Sequence, residues 1–311
     1  MHKSDKYNPF FFFAFDHYTE LLPRSLILSY PTARMRSGDF GELLNPTNGY
    51  ANSIAIADPL TTHLDTNPSS STYNHYIRDP FPGNIIPAGR INPVAAKIAA
   101  LLPAVEASPT NQRPGTSDLS IPNNYYNWHF HNVVGRFDFN VGEKYRFFVR
   151  PFNADFSEVS NAGGVTGPGA NGGTFHRTSK GYLVDFVDVM NSKTVLNARF
   201  GYAFFRVLWT SPDNSNFDLT GLGYPSALNS QQQSPNFFGQ YAFQNYSPLG
   251  WFHNVEDTGT YSWEGNLSRQ AGAHNLHLGW DVRLVHFSYI NPCNFTFTSN
   301  SDWTTTDYSN T

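Results

Sequence analysis

The sequence predicts an all-β fold: an antiparallel up-and-down transmembrane β-barrel segment of about seven to eight strands, incomplete and open. Three observations predict it. Polar and apolar side chains alternate along long stretches, short and long connections alternate strictly, and the composition is rich in aromatic residues but poor in charge. A membrane-spanning strand needs about ten alternating residues with aromatic rings at the interfaces, and several stretches of this chain meet that requirement.

The composition narrows the possible classes of protein. Of the 311 residues, 14% are charged and 16% are aromatic, whereas an average globular protein has about 25% charged residues. The net charge of −4 gives no electrostatic reason to expect a nucleic-acid partner. No stretch approaches the roughly 18 apolar residues of a membrane helix. Cys293 is the single cysteine, which excludes an intrachain disulfide.

The first strand is predicted at residues 9–18, where PFFFFAFDHY is a compact aromatic run. Residues 19–125 are dense in Pro, Asn, Ser and Gly, and they predict a long extracellular loop region. One helix is expected within it at 93–102, because Asn92 can cap the helix, Pro93 suits its first turn and Pro103 stops it.

Alternation with a period of two then predicts three β-hairpins, at residues 126–156, 175–210 and 256–289. Residues 290–311 are expected to begin the next loop or an eighth strand, starting near Phe295. Outer-membrane barrels have short periplasmic turns and long extracellular loops, which is the order of connections found here. Because an open sheet leaves unpaired backbone groups in hydrocarbon, we expect the native barrel to contain more chain than this.

The alternation also assigns side chains to faces. The lipid-facing set is predicted to be Leu276, Leu278, Trp280, Val282 and Leu284. The lumen-facing set is predicted to be Arg136, Arg146, Arg150, Arg199, Asp281 and Arg283. In a plugged barrel such charged residues contact the plug or line the route of a ligand, although wetting of the lumen alone would select the same residue types.

No catalytic, cofactor or metal site is predicted, and we expect the protein not to be an enzyme. His129 and His131 lie on one face of a strand, but no third metal ligand can be placed, so a polar or interfacial pair is favoured. Asp281 with Arg283, and Glu264 with Arg269, are interpreted as a solvated charge ladder. The glycine-rich residues 161–173 lack the Lys-Ser/Thr and the helix of a phosphate-binding loop.

Several segments resemble a known family in their actual residues as well as in their polar–apolar pattern. PFFFFAFDHY, PTARMRSGDFGELL, DPLTT from Asp58 and RDPFPGNIIPAGRINPVAAKIAALLPA at 78–104 resemble the Oar-like family of TonB-dependent transporters of bacterial outer membranes. VVGRFDFNVGEKYRFFVRPFNADFS and NSKTVLNARFGYAFFR are similar to barrel hairpins of that family. FPGNIIPAGRINPVA is the most specific segment, because strand alternation does not explain it.

The resemblance implies a barrel of about twenty-two strands around an N-terminal plug, in the outer membrane of a Gram-negative-type bacterium. It implies energised uptake of a scarce small ligand, an oligosaccharide or a chelate, with outer-membrane lipid, the plug and the TonB system as partners. Nothing here matches the plug or the TonB-contacting segment, so we interpret the chain as an early barrel portion. The alternative is a secreted or surface-anchored β-rich carbohydrate-binding or adhesion module, with the Leu276 face packed against a second sheet.

Overall fold

A computed structural model describes residues 7–44, 53–103, 105, 113–160, 167–211, 217–232, 236–250, 253–291 and 295–307. The helices in these ranges are α1 Ala33–Arg36, α2 Pro93–Ala100 and α3 Ser226–Gln231. The strands are β1 Tyr7–Leu28, β2 His63–Leu64, β3 Tyr76–Ile77, β4 Leu119–Val141, β5 Tyr145–Ser160, β6 Gly173–Asn191, β7 Thr194–Thr210, β8 Gln240–Phe243, β9 Asn254–Ala271, β10 His274–Ile290 and β11 Thr296–Ser299. No helix within the described ranges is long and apolar enough to cross a membrane.

Seven long strands form one antiparallel sheet in the order β1-β4-β5-β6-β7-β9-β10. Each is far longer than the usual five or six residues: the shortest, β5, has 16 residues and the longest, β4, has 23. The sheet is open, since β1 and β10 form its edges and neither pairs with a further long strand in the described part of the chain. This architecture is the predicted incomplete antiparallel barrel.

The connections fall into two groups at opposite ends of the sheet. At one end β4–β5, β6–β7 and β9–β10 are joined by tight turns. Gly142 and Gly272 both have φ +61° in two of these turns, a left-handed conformation that suits glycine. The other connections are long. The longest connection, between β1 and β4, folds into a separate unit. This unit also includes parts of the connection between β7 and β9 and the residues after β10.

We call the described parts of 29–118, 217–250 and 295–307 the loop unit. It has its own hydrophobic core, which comprises Tyr30, Ile98, Leu102, Leu219, Leu222, Phe238, Tyr241 and Leu249. Two short ladders, β2 with β3 and β8 with β11, belong to it. Every buried apolar side chain in the described residues lies outside the seven long strands. The loop unit therefore buries apolar surface against itself, and the sheet does not.

The segment with the most specific resemblance, residues 81–95, is part of the loop unit. Asn84 is buried with φ +58°, and its side chain donates to the Ile54 carbonyl at 2.7 Å and accepts from the Ile56 amide at 2.9 Å. Arg90 donates to Asp58 of the DPLTT segment through Nη2 at 2.7 Å. Segments that resemble one family are thus bound to one another.

Several predicted bounds differ from the structure. β1 runs to Leu28 instead of ending at 18, and β4 begins at Leu119 instead of 126, so the first long connection is 29–118. Pro23 interrupts the alternation, but β1 is an edge strand and its register shifts between Arg24 and Leu26, which accommodates the irregularity. Helix α2 ends at Ala100 instead of 102.

The suggested eighth barrel strand was wrong. Residues Thr296–Ser299 do form a strand, but β11 pairs in parallel with β8 of the loop unit and not with β10 of the sheet. The alternating FTF pattern was read correctly as a strand, yet alternation does not specify the partner.

Candidate functional site

One face of the sheet is apolar and uncovered. The five residues predicted to face lipid share it, and Leu278, Val282 and Leu284 are 67%, 55% and 49% exposed. No second layer covers this face in the described part of the chain. A water-soluble sandwich would bury such a face beneath another sheet, which is what the alternative interpretation required. An exposed apolar face of this kind is typical of a sheet that contacts the hydrocarbon of a membrane.

Neighbouring strands extend this apolar face across the sheet in register. Val282 lies opposite Trp263, Trp263 opposite Phe200, and Phe200 opposite Val184. Two residues along each strand toward the loop unit, a second row crosses the same face. It contains three tyrosines beside a leucine: Leu284, Tyr261, Tyr202 and Tyr182. Its rings lie 4.8 Å (Tyr202 to Tyr261) and 5.9 Å (Tyr182 to Tyr202) apart between centroids. This row lies inside the apolar face, so its rings contribute to the apolar band.

Polar residues bound the apolar face at both ends. Toward the loop unit, Arg206 pairs with Asp257 at 2.6 Å and His131 with Asp155 at 3.2 Å. Toward the tight turns, Lys144 lies 3.9 Å from Asp188. Along β6 these boundaries fall at Thr178 and Asp188, about ten residues or about 34 Å of strand apart, with Lys180 on the same face just inside the one toward the loop unit. With a strand tilt of about 40°, the apolar band is about 26 Å high, close to the ~25 Å band of outer-membrane barrels.

The opposite face carries the six residues predicted to face the lumen. At its centre a row of six residues crosses six strands at one register, and five of the six are charged; we call it the charged row: Asp138, Phe148, Asp185, Arg199, Glu264 and Asp281. Arg199 bridges Asp185 at 2.8 Å and Glu264 at 3.4 Å. In the same region Arg136 pairs with Asp138 at 2.7 Å and Arg283 with Asp281 at 2.8 Å. The structure therefore places four of the six predicted residues in three neighbouring groups of ion pairs on this face.

The other two predicted residues stand apart from those ion pairs. Arg146 lies opposite Asn140 and Val187, and Arg150 lies opposite Leu183. Neither makes an ion pair within the described ranges. Arg146 and Arg150 thus lie on the charged face but outside the ion pairs of the charged row.

The sequence missed Asp185, which is the most buried member of the charged row at 5% exposure. Alternation indicates the face of a strand residue but not the residue opposite it, so the Asp185–Arg199 pair could not be derived. It also missed an aromatic strip on the same face near the loop unit. Successive rings there lie 4.3–6.0 Å apart, in the order Tyr18 with Phe130, and Trp128, Phe156, Phe175 and Trp209.

Two assignments inferred from the sequence need correction. Glu264 and Arg269 lie on opposite faces, because Glu264 is opposite Asp281 whereas Arg269 is opposite Leu276. Tyr289, an aromatic residue that the sequence predicts to face lipid or its interface, shares the face of Asp281 instead. These corrections follow from counting residues along a strand, since an odd separation reverses the face.

His129 and His131 do share a face, but they have different partners. His129 Nδ1 lies 3.2 Å from Thr19 Oγ1, while His131 pairs with Asp155. No cluster of three possible metal ligands occurs in the residues that the structure describes. Cys293 lies outside the described residues, and the glycine-rich stretch is described only from Gly167 onward.

An open meander of long strands, with an apolar band of membrane thickness and a charged opposite face, defines the wall of a transmembrane β-barrel. The chain belongs to the outer membrane beta barrel domain family, whose model matches residues 6–311. It is accordingly an outer-membrane protein. No curated protein and no solved structure matched the chain.

Proposed function

We propose that this chain forms part of the barrel of an Oar-like TonB-dependent transporter, which takes up a scarce ligand across the outer membrane. In this proposal the apolar face meets lipid, the charged row faces the interior, and the loop unit lies outside the cell. The observation that supports it most is the charged row, because ion-paired charges at one level on five strands need an aqueous or protein-filled interior behind the lipid-facing wall.

The packing of the resembling segments supports the choice of family. PTARMRSGDFGELL, DPLTT and residues 78–104 come from separate places in a long connection, yet they pack into one unit. Asn84 links residues 54–56 to the turn at Phe40, and Arg90, which precedes α2, donates to Asp58. We take the direct contacts among these segments as support for the resemblance.

The proposal also accounts for two open features of the sheet. The outer edges of β1 and β10 carry backbone groups that need partners in hydrocarbon, and further barrel strands would supply them. Arg146 and Arg150 project from the charged face without an ion pair in the described part of the chain. Carboxylates of a plug or of an anionic ligand would satisfy them.

The test measures whether TonB changes the access of a reagent to the barrel interior, as expected if TonB moves a plug there. In a Cys293→Ser background, Ser262→Cys places a thiol on the charged face, opposite Arg283, and Val282→Cys places one on the apolar face. Intact cells with and without TonB are treated with a membrane-impermeant maleimide, and the labelling rates are compared. We expect TonB and an energised inner membrane to increase labelling at position 262 severalfold.

Position 282 is the matched control, because a lipid-facing thiol reacts poorly in either strain. Equal labelling of position 262 in both strains would count against TonB-dependent transport. It would leave the barrel assignment intact, since that assignment depends on the difference between the two positions.

A further inference from the structure

The loop unit encloses a cavity of about 930 Å³, bounded by α1, α2, the end of β8 and the residues after β11. Cavities of about 300–1,000 Å³ are typical of small-molecule sites. It lies beside the core of the loop unit, since Ile98, Leu102 and Tyr241 contribute to both. Its position is thus fixed by the best-packed part of the chain.

The walls of the cavity are mainly aliphatic. Four isoleucines from the first long connection, Ile54, Ile56, Ile86 and Ile91, line it together with Val94 and Ile98 of α2. Tyr241, Phe243 and Phe297 add aromatic surface on the other side. A surface of this kind favours an apolar body over a sugar, because sugar hydroxyls need many polar partners.

Two cations interrupt the apolar lining, and no carboxylate does. Arg36 and Arg113 are the charged residues that line the cavity. The Arg36 Nη1 donates to the Leu102 carbonyl at 3.2 Å, but its Nε is buried without a hydrogen-bond partner in the described part of the chain. Neither guanidinium makes an ion pair with a described residue. A buried donor without a partner costs free energy that an anion would recover.

Other arginines of the same unit show the contrast. Arg34 precedes Arg36 by two residues on α1, yet it points to Asp39 and holds it at 2.8 Å. Arg90 is held by Asp58. Arg34 and Arg90 thus have carboxylate partners, whereas the two arginines that line the cavity have none among the described residues.

We propose that this cavity binds an amphipathic anion, a small molecule with an apolar body and one carboxylate head. The apolar body lies against the isoleucines, and the carboxylate accepts hydrogen bonds from Arg36 and Arg113. This binding site does not depend on the proposed transport function. A receptor or a transporter could use it equally.

The experiment measures binding to the intact protein in nanodiscs of zwitterionic lipid, with empty nanodiscs correcting for partition into lipid. The probes are isotope-labelled decanoate and decanol, which share an alkyl chain and differ in the charged head. We expect saturable binding of decanoate at one site, about tenfold or more tighter than binding of decanol. The double variant Arg36→Gln/Arg113→Gln should bind decanoate no better than decanol.

Matched variants separate the site from general damage. Arg34→Gln removes an arginine from the same helix but outside the cavity, and decanoate binding should be unchanged. Ala96→Trp fills the cavity from an exposed position on α2 and should abolish binding, whereas Ala100→Trp on the same helix, outside the lining, should not. Arg36→Lys keeps the charge if the glutamine variant fails to fold, and it should retain most of the preference for decanoate.

Three results would overturn the proposal: no saturable binding, equal binding of decanoate and decanol, or unchanged binding in Ala96→Trp. Each can occur whether or not TonB affects labelling at position 262. Failure of this inference and failure of the proposed function are therefore distinguishable.

Discussion

At the scale of single residues, Asn84 shows how one polar side chain organises the loop unit. It is 1% exposed and bonds to backbone groups of Phe40, Ile54 and Ile56, while its own backbone is left-handed. Asparagine tolerates that conformation better than most residues with a side chain. Neither alanine nor glycine would satisfy the three backbone groups.

We therefore expect Asn84→Ala to lower the free energy of unfolding of the loop unit by about 2–4 kcal/mol, at roughly 1 kcal/mol for each lost hydrogen bond plus a cost for the left-handed backbone. Pulse proteolysis in urea measures this. Asn74→Ala is the control, because Asn74 is exposed with φ +63° and tests the backbone cost alone. Equal losses in both variants would show that the hydrogen bonds contribute nothing.

The stability of the loop unit should depend on pH through Asp58. The hydrogen bond from Arg90 holds the pKa of the Asp58 carboxyl below its usual range. Because the folded pKa lies below the unfolded one, the stabilisation is complete above about pH 4 and is lost as pH falls through the folded pKa. Asp58→Asn keeps the acceptor for the Leu60 amide and removes the charge.

We expect this variant to unfold at a lower temperature than the wild type at pH 7, and the difference to shrink as the pH falls below about 4 and through the folded pKa. Thermal unfolding between pH 3 and 7 measures both proteins under one protocol. A difference that stays constant across the range would mean that the ion pair with Arg90 is not its cause.

At the scale of elements, each long strand has two faces with different requirements. Leu278→Arg places a charge on the apolar face of β10, and we expect it to cost about 2–4 kcal/mol and to lower the folded fraction in the membrane. Thr260→Arg, on the charged face of β9 opposite Val285, should be tolerated. Heat-modifiable mobility in gels measures the folded fraction, and equal effects of the two variants would contradict the assignment of faces.

The sequence predicted strands well where alternation was uninterrupted, as in β7 and β10. It missed residues 19–28 and 119–125 because proline and mixed polarity break the period of two there, although pairing between edge strand and neighbour continues. It also could not place β11, because strand character is local whereas the partner is determined by the fold of the loop unit.

The candidate sites show the same division between local and long-range information. Arg199 could be assigned to a face from its neighbours in sequence, but its partner Asp185 could not. The cavity could not be predicted at all, since Arg36, Ile91 and Phe297 come from distant segments and meet only through tertiary packing. The FPGNIIPAGR segment was noted for its wording, and only the structure explains it, through Asn84 and Arg90.

At the scale of the whole molecule, the loop unit has the features of a protein in water, and the sheet has those of a protein in lipid. The loop unit buries its apolar side chains in a core, as proteins do in water. The sheet exposes its apolar side chains and collects its charges on the other face, which is stable when hydrocarbon lies outside and polar groups lie inside. The mean composition conceals this, because polar loops and polar strand faces offset the aromatic band.

The most direct test of this account is a spin-label scan of β10, one cysteine at a time from 276 to 284, in the Cys293→Ser protein reconstituted in lipid. Accessibility to oxygen, which partitions into hydrocarbon, is compared with accessibility to a water-soluble nickel complex. We expect oxygen accessibility to be high at 276, 278, 280, 282 and 284 and low at the positions between them, a period of two. Equal accessibility on both faces, or nickel accessibility highest at Leu278 and Val282, would contradict the central claim that this face meets lipid.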